Sequence, residues 1–318
     1  MRTMDPGDRT RTRAGGLGPC AALGALLLTT AGGGTAGAVE CGDVVTGAEQ
    51  LQEDLICTTD PALTLSGGSL NLRGFAVVCD GTVQGVVLDG EGARLRNGAV
   101  AGCEMAVSVE GDGRHAVANV TVSVEDPDPE DDASAEGIRV SSDGNRVLGS
   151  RVLLGGANAI RVNGDRNQVL GNTVSGAERG VRVDGAANLI ALNVIGGVAE
   201  GIEVRGERNR IRRNHIAGVL DQAIELRGDG NRVAANLAVD AVGDGISVFS
   251  SNNVVRANGV FSNGDDGIIV TATGGGNRVV NNRALGNATD LTDQNPDCGD
   301  NVWAGNAFES ADPDACID

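Results

Sequence analysis

The sequence predicts an all-β protein, a single-stranded right-handed parallel β-helix of about 10–11 coils with 21–22 residues each. Three observations predict it. A tetrad of small, apolar, variable and apolar residues recurs at that spacing, and two polar columns, mostly asparagine, follow it at fixed offsets. The composition is the third, with 50 glycines, no tyrosine and one tryptophan in 318 residues. A core without aromatics must be filled by Val, Ile, Leu and Ala, which suits many short strands.

The tetrads read GIRV, AIRV, GVRV, GIEV, AIEL, GISV and GIIV, with second residues Ile138, Ile160, Val181, Ile202, Ile224, Ile246 and Ile268. Weaker copies at Leu63, Val86, Val107 and Leu291 extend the series to eleven. The acidic run Glu125 to Glu136 is an insertion that stretches one spacing to 31. Seven residues after each start stand Asn145, Asn167, Asn188, Asn209, Asn231 and Asn253, with Asn277 two residues late. Five residues further on stand Ser150, Asn172, Asn193, Asn214, Asn236, Asn258 and Asn282. Each repeat therefore holds three short runs of Val, Ile and Leu separated by Gly, Asp and Asn turns. No run is long enough for a helix. Coils of this kind stack about 4.8 Å apart. Asparagine suits their corners because it tolerates left-handed backbone and its amide can bond to the asparagines above and below.

Residues 1–38 read as a secretory signal: Arg2, Arg9, Arg11 and Arg13, then the apolar stretch Cys20 to Leu28, then Ala36-Gly37-Ala38 as a cleavage site. The apolar stretch is too short to span a bilayer, so the expectation is a secreted or periplasmic protein without membrane insertion. Residues 39–62 form an N-terminal cap. It is expected to be a short helix, because Thr46 and Glu49 have capping-box spacing before an apolar stripe of Leu51, Leu55 and Ile56. Residues 63–292 are the coils, and residues 293–318, with Trp303 and Phe308, leave the repeat as a C-terminal cap held by a disulfide.

All 25 basic residues are arginine, against 43 acidic ones, for a formal net charge of −18. Nucleic acid is excluded as a partner on that balance, and anionic membranes are repelled. Six cysteines remain after the signal, an even number that implies disulfides. Local pairing is expected: Cys41–Cys57 and Cys298–Cys316 closing the two ends, and Cys79–Cys103 in nearly the same column one coil apart.

The repeats GIEVRGERNRIRRNHI and GISVFSSNNVVRANGV resemble those of secreted right-handed β-helix repeat proteins of the pectin-lyase-like superfamily, over roughly residues 60–292. The resemblance implies a fold shared by lyases, hydrolases, epimerases, metal-delivery proteins and surface proteins without known activity. It also implies that ligands lie along the first strand sheet and the turns before it. The outward tetrad residues there are Arg139, Arg161, Arg182, Glu203, Glu225, Ser247 and Ile269. Arg182, Glu203 and Glu225 are the candidate binding strip, although cross-strand neutralisation explains the same ladder.

Asp244, Asp265 and Asp266 are the candidate catalytic residues. An Asp on one coil before an Asp-Asp on the next is similar to the polygalacturonase family, where such carboxylates cleave glycosidic bonds. This chain departs from that family in having Gly286-Asn287-Ala288 where a Gly-His-Gly is expected, and no lysine for an Arg-x-Lys motif. Asx turns explain the three aspartates without a reaction, and Asp265→Asn with Asp266→Asn is expected to leave the fold and any polysaccharide binding nearly unchanged. A lyase reading would set Arg182 or Arg205 beside Glu200, Glu203 and Glu225. No cofactor is required. Calcium is the ion that stacked acids at Asp143, Asp165, Glu207 and Asp229 would suit, though without the nonapeptide period of calcium-loaded β-rolls. His115, His215 and Met105 are too few for a copper site. The expected function is a non-catalytic protein of the envelope or extracellular space with weak affinity for polysaccharide. The alternative is a carbohydrate-active enzyme. The oligomeric state is left open.

Overall fold

A strand of three residues cannot hold its own backbone partners, so runs this short persist only where neighbouring strands pair with them. The computed structural model describes residues 38–124 and 135–318, and in it the inner coils find those partners in the coils before and after, while the first and last are paired on one side. The expected export signal, up to Gly37, and most of the acidic insertion lie outside the described residues.

The tetrads form a thirteen-stranded parallel sheet running from Val44–Val45 to Ala311–Asp312. Its register aligns the repeat starts, so that Ile138 pairs with Ile160, Ile160 with Val181, and so on to Ile268 with Leu291. All of these are buried in one continuous column. Two further faces complete each coil, a middle sheet (Arg146–Leu148, Gln168–Leu170, Leu189–Ala191 and onward) and a third sheet (Arg151–Leu154, Thr173–Ser175, Val194–Gly196 and onward). They add inward columns such as Val169, Ile190, Ile211 and Val174, Ile195, Ile216. The long strands Arg94–Ala101 and Ala116–Val124 run through both faces and join them at the corner. The fold is a right-handed parallel β-helix with an interior of aliphatic rungs.

The asparagine columns are buried and continuous. Asn167 donates its backbone N–H to Oδ1 of Asn188 at 2.7 Å, and Asn188 repeats this to Asn209 at 2.8 Å. The second column runs through Asn172, Asn193, Asn214, Asn236, Asn258 and Asn282 to Asn306. One expectation needs correction. These asparagines do not themselves take the left-handed conformation. The residue before each does, as at Arg166, Ala187 and Arg208 in one column and Leu192, Arg213, Ala235 and Ala257 in the other. The asparagine follows the tight turn and supplies the acceptor that the next coil's geometry leaves open.

Both ends also differ from expectation. The helical cap is absent: Val44–Val45, Ala48–Gln50 and Leu55–Cys57 are strands of a first coil that pair with Leu63–Ser66, Ser69–Asn71 and Ala76–Cys79. An isolated helix of so few residues is marginal, whereas the next coil offers partners along the stretch, as in Leu51 N–H to Asn71 O at 3.0 Å. Ile56, placed on the expected apolar stripe, is 80% exposed. At the other end the coil continues past residue 292. Val302–Ala304 pairs with Arg278–Val280, Asn301 and Asn306 extend both columns, and Trp303 is buried with its indole N–H on Asp293 Oδ2 at 2.7 Å. Disulfides join Cys41 to Cys57, Cys79 to Cys103 and Cys298 to Cys316, with Cα separations of 5.5, 4.7 and 6.0 Å.

Candidate functional site

The outer face of the tetrad sheet carries three columns of polar side chains, because alternate residues of each strand point away from the core. The middle column is Arg139, Arg161, Arg182, Glu203, Glu225 and Ser247, in direct register. The columns beside it hold Glu136, Asn158, Arg179 and Glu200 on one flank, and Asp184, Arg205 and Arg227 on the other.

These charges close on one another. Glu203 is 2% exposed and is ringed by four guanidinium groups: Arg205 at 2.5 Å, Arg179 at 3.3 Å, and Arg182 and Arg227 at 3.8 Å. Glu225 is paired with Arg227, whose guanidinium also lies 5.0 Å over the Phe249 ring. Glu136 is buried between Arg139 at 2.5 Å and Arg161 at 3.3 Å. Of the candidate binding residues, Arg182, Glu203 and Glu225 are therefore brought together, but the two carboxylates are covered by arginines. Four residues that complete this lattice, Glu136, Arg179, Asp184 and Arg227, carry no motif. Only their offset of two from the tetrad's outward residue, or three in the case of Arg179 and Glu136, marks them.

The turns before the strands have another character. Glu200, Asp221, Asp244, Asp265 and Asp266 gather on successive coils and, among the described residues, Arg179 is the one cation within 4.0 Å of any of them. Asp266 is pushed above the usual carboxylate range by burial, with Asp244, Asp265 and Asp312 adding to the rise, while the hydroxyl of Thr292, donating at 2.6 Å, opposes it. Burial likewise raises Asp221, helped by Asp244 and Asp265. Glu200 is raised by burial against the pull of Arg179. Asp244 thus lies beside Asp265 and Asp266 of the next coil. The sequence did not single out Asp221, which sits alone in its turn as GVLDQ.

Asp244 holds the corner. Its Oδ2 accepts from Ser247 Oγ at 2.7 Å and its Oδ1 accepts the Asp266 backbone N–H of the next coil at 3.0 Å. Asp265 is exposed. The signs of the shifts fix a prediction. A carboxyl whose folded value lies above its unfolded one binds its proton more tightly when folded, so stability falls as pH rises from the ordinary carboxylate value through the raised one. Asp266→Asn keeps the acceptor for Thr292 and removes that charge. It is expected to melt slightly above the parent chain at neutral pH and level with it near pH 3, in thermal melts followed by circular dichroism.

Of the acids that would suit calcium, Asp143, Asp165 and Asp229 accept backbone N–H groups at the corners. Asp143 Oδ1 accepts the Asp165 N–H at 2.8 Å, Asp165 Oδ1 accepts Ala186 N–H at 2.7 Å, and Asp229 Oδ1 accepts Ser251 N–H at 2.8 Å. Among the described residues no three His, Cys, Asp or Glu side chains converge as a metal site. His115 is buried at the end of the first polar column, its Nδ1 accepting from Ala93 N–H at 3.0 Å and its Nε2 without a partner. His215 stands exposed on the third sheet, in register with Val194 and Leu237. With the six described cysteines in disulfides, no soft donor set remains for copper among the described residues.

A sequence model of the family described as "Periplasmic copper-binding protein (NosD)" matches residues 97–310. No curated protein sequence matches the chain. Among solved structures, the mannuronan C-5 epimerase AlgE4 A-module of Azotobacter vinelandii is similar at a TM-score of 0.64 and 11% identity, over 85% of this chain and 88% of that one. A mannuronic acid specific polysaccharide family 6 lyase from human gut microbiota gives 0.52 and 11%, over 79% and 78%. The Dettilon tailspike protein gives 0.54 and 14%, over 81% of this chain, which spans only 55% of the tailspike's length. At these identities the likeness is one of fold.

Proposed function

This chain belongs to the NosD family, whose model covers residues 97–310, and from that premise we propose that it is an exported, non-catalytic β-helix protein that binds neutral polysaccharide along its tetrad sheet. The observation that carries the reading is the division of that face. Glu136, Asp184, Glu200, Glu203 and Glu225 are spent on the arginines beside them, while the turn carboxyls of Asp221, Asp244, Asp265 and Asp266 meet no cation within 4.0 Å among the described residues. Carboxyl oxygens of this kind accept hydrogen bonds from sugar hydroxyls, and a surplus of negative charge disfavours acidic glycans there. Copper, named in the family's description, does not fit the donors described above, and no step is assigned to it.

A second reading, hydrolysis of a glycosidic bond, is favoured by one observation: Asp266 holds its proton more tightly than usual beside Asp244. Coils about 4.8 Å apart approach the roughly 5–5.5 Å between carboxyls of a retaining pair rather than the 6.5–9.5 Å of an inverting one. Each oxygen of Asp244, however, already accepts one hydrogen bond, which stabilises the carboxylate and weakens it as a nucleophile. Calorimetric titration with neutral oligosaccharides, run beside an assay for new reducing ends, separates the two. Binding weakened by Asp221→Ala and Asp265→Ala, with no new reducing ends, is the expected result. Sugar release that Asp244→Asn or Asp266→Asn abolishes would establish the enzyme instead.

A further inference from the structure

The middle sheet carries a second charged surface built on the opposite plan. Arg210, Arg212, Arg232 and Arg256 line a groove of about 560 Å³ whose walls include Leu189 and Val254. All four arginines are exposed. Arg210 faces Arg232 directly on the neighbouring coil, and Arg212 and Arg256 occupy the other outward column on either side of Ala234. Among the described residues none of the four has a carboxylate within 4.0 Å.

That isolation calls for a cause. Like charges set directly opposite across two strands are destabilising, and with 43 acidic residues against 25 arginines the chain has carboxylates to spare. On the tetrad sheet Arg139, Arg161, Arg179, Arg182, Arg205 and Arg227 all have one within reach. Here none is supplied within 4.0 Å, and the other residues lining the groove, Leu189, Ala234 and Val254, are apolar.

We propose that this groove binds a linear glycan carrying a carboxylate on each sugar, that is, a polyuronate. The guanidinium fork matches a carboxylate with two parallel hydrogen bonds. Successive coils repeat about every 4.8 Å, so a chain laid along the helix axis meets an arginine at Arg210, at Arg232 one coil on and at Arg256 one coil further. Leu189 and Val254 offer the C–H faces of the sugar rings an apolar wall, the usual make-up of a pocket whose few polar groups set specificity. An anionic bilayer is the poorer fit, because it is too flat to enter a groove. The site is separate from the tetrad sheet and does not depend on the reading given for that face.

Affinity electrophoresis through gels containing polygalacturonate, fully methyl-esterified polygalacturonate or no glycan tests this directly. The parent chain should be retarded more strongly by the acidic polymer than by its neutral ester. The variant Arg210→Gln/Arg212→Gln/Arg232→Gln/Arg256→Gln should bind it at least tenfold more weakly with an unchanged melting curve. Arg139→Gln, on the tetrad sheet, should bind like the parent. No retardation of the parent, equal retardation of the quadruple variant, or binding only to phosphatidylglycerol vesicles would overturn the proposal. Because the polymers are acidic and the variants lie on the middle sheet, failure here leaves the neutral-glycan reading standing, and the reverse holds too.

Discussion

Ile202→Asp is expected to abolish folding, giving insoluble protein or a chain without a cooperative unfolding transition in urea. Ile202 is 1% exposed and lies in the inward column between Val181 and Ile224. A carboxylate at that point has only aliphatic rungs above and below it. An unpaired buried charge costs several kcal/mol even after relaxation, a large part of the roughly 5–15 kcal/mol that holds a domain folded. The architecture makes the damage worse. Each coil touches only its neighbours, so a broken central rung separates two stacks that cannot cover each other's open ends. Arg182→Ser, one coil earlier on the outer side of the same sheet, supplies the contrast. Arg182 lies 3.1 Å from Asp184 and 3.8 Å from Glu203, which keeps Arg179, Arg205 and Arg227 after the change. Its loss should cost about 1 kcal/mol. Comparable losses in the two variants would mean that the inward and outward faces had been exchanged.

The legibility of this fold was uneven for physical reasons. The tetrads were readable because a repeat of 21 or 22 residues imposes the same inward residue on every coil, and the aligned Ile138, Ile160 and Val181 follow from that alone. The segment Thr46 to Cys57 misled because local helix signals compete with a partner that only the stacked coil provides, and that partner lies some twenty residues away. Asn188 and Asn193 marked the corners correctly. The strained backbone falls on Ala187 and Leu192, residues with no preference for it, because the following asparagine's bonds hold the turn. On the outer face, Asp244, Asp265 and Asp266 were visible as adjacent turn residues. The burial of Glu203, the rise of Asp221 and the arginine groove were not, because each depends on which residues share a coil height. Arg210, Arg232 and Arg256 lie in three different repeats and carry no common motif.

The asparagine columns bear the second large effect: Asn214→Ala should fold but lose about 3–5 kcal/mol in urea denaturation. Asn214 is buried and fully used. Its Oδ1 accepts from the backbone N–H of Asn193 at 3.0 Å and from its Nδ2 at 2.9 Å, while its own Nδ2 donates to Ile190 O and to Asn236 Oδ1, each at 3.0 Å. Alanine removes all four bonds at once. The groups left behind are enclosed by neighbouring coils, and an unsatisfied buried donor or acceptor costs about 1–3 kcal/mol. Unlike Ile202→Asp, the change introduces no charge, and the other corner column through Asn209 and Asn231 still holds the coils in register. The column itself contains a gentler replacement. Ser150 occupies the same position three coils before Asn214, and its Oγ accepts the Val120 N–H at 3.2 Å. Asn214→Ser should therefore keep part of the acceptor function and fall between the parent and the alanine variant. An alanine variant as stable as the parent, or a serine variant less stable than alanine, would show that the corners are held by backbone geometry and not by the amide column.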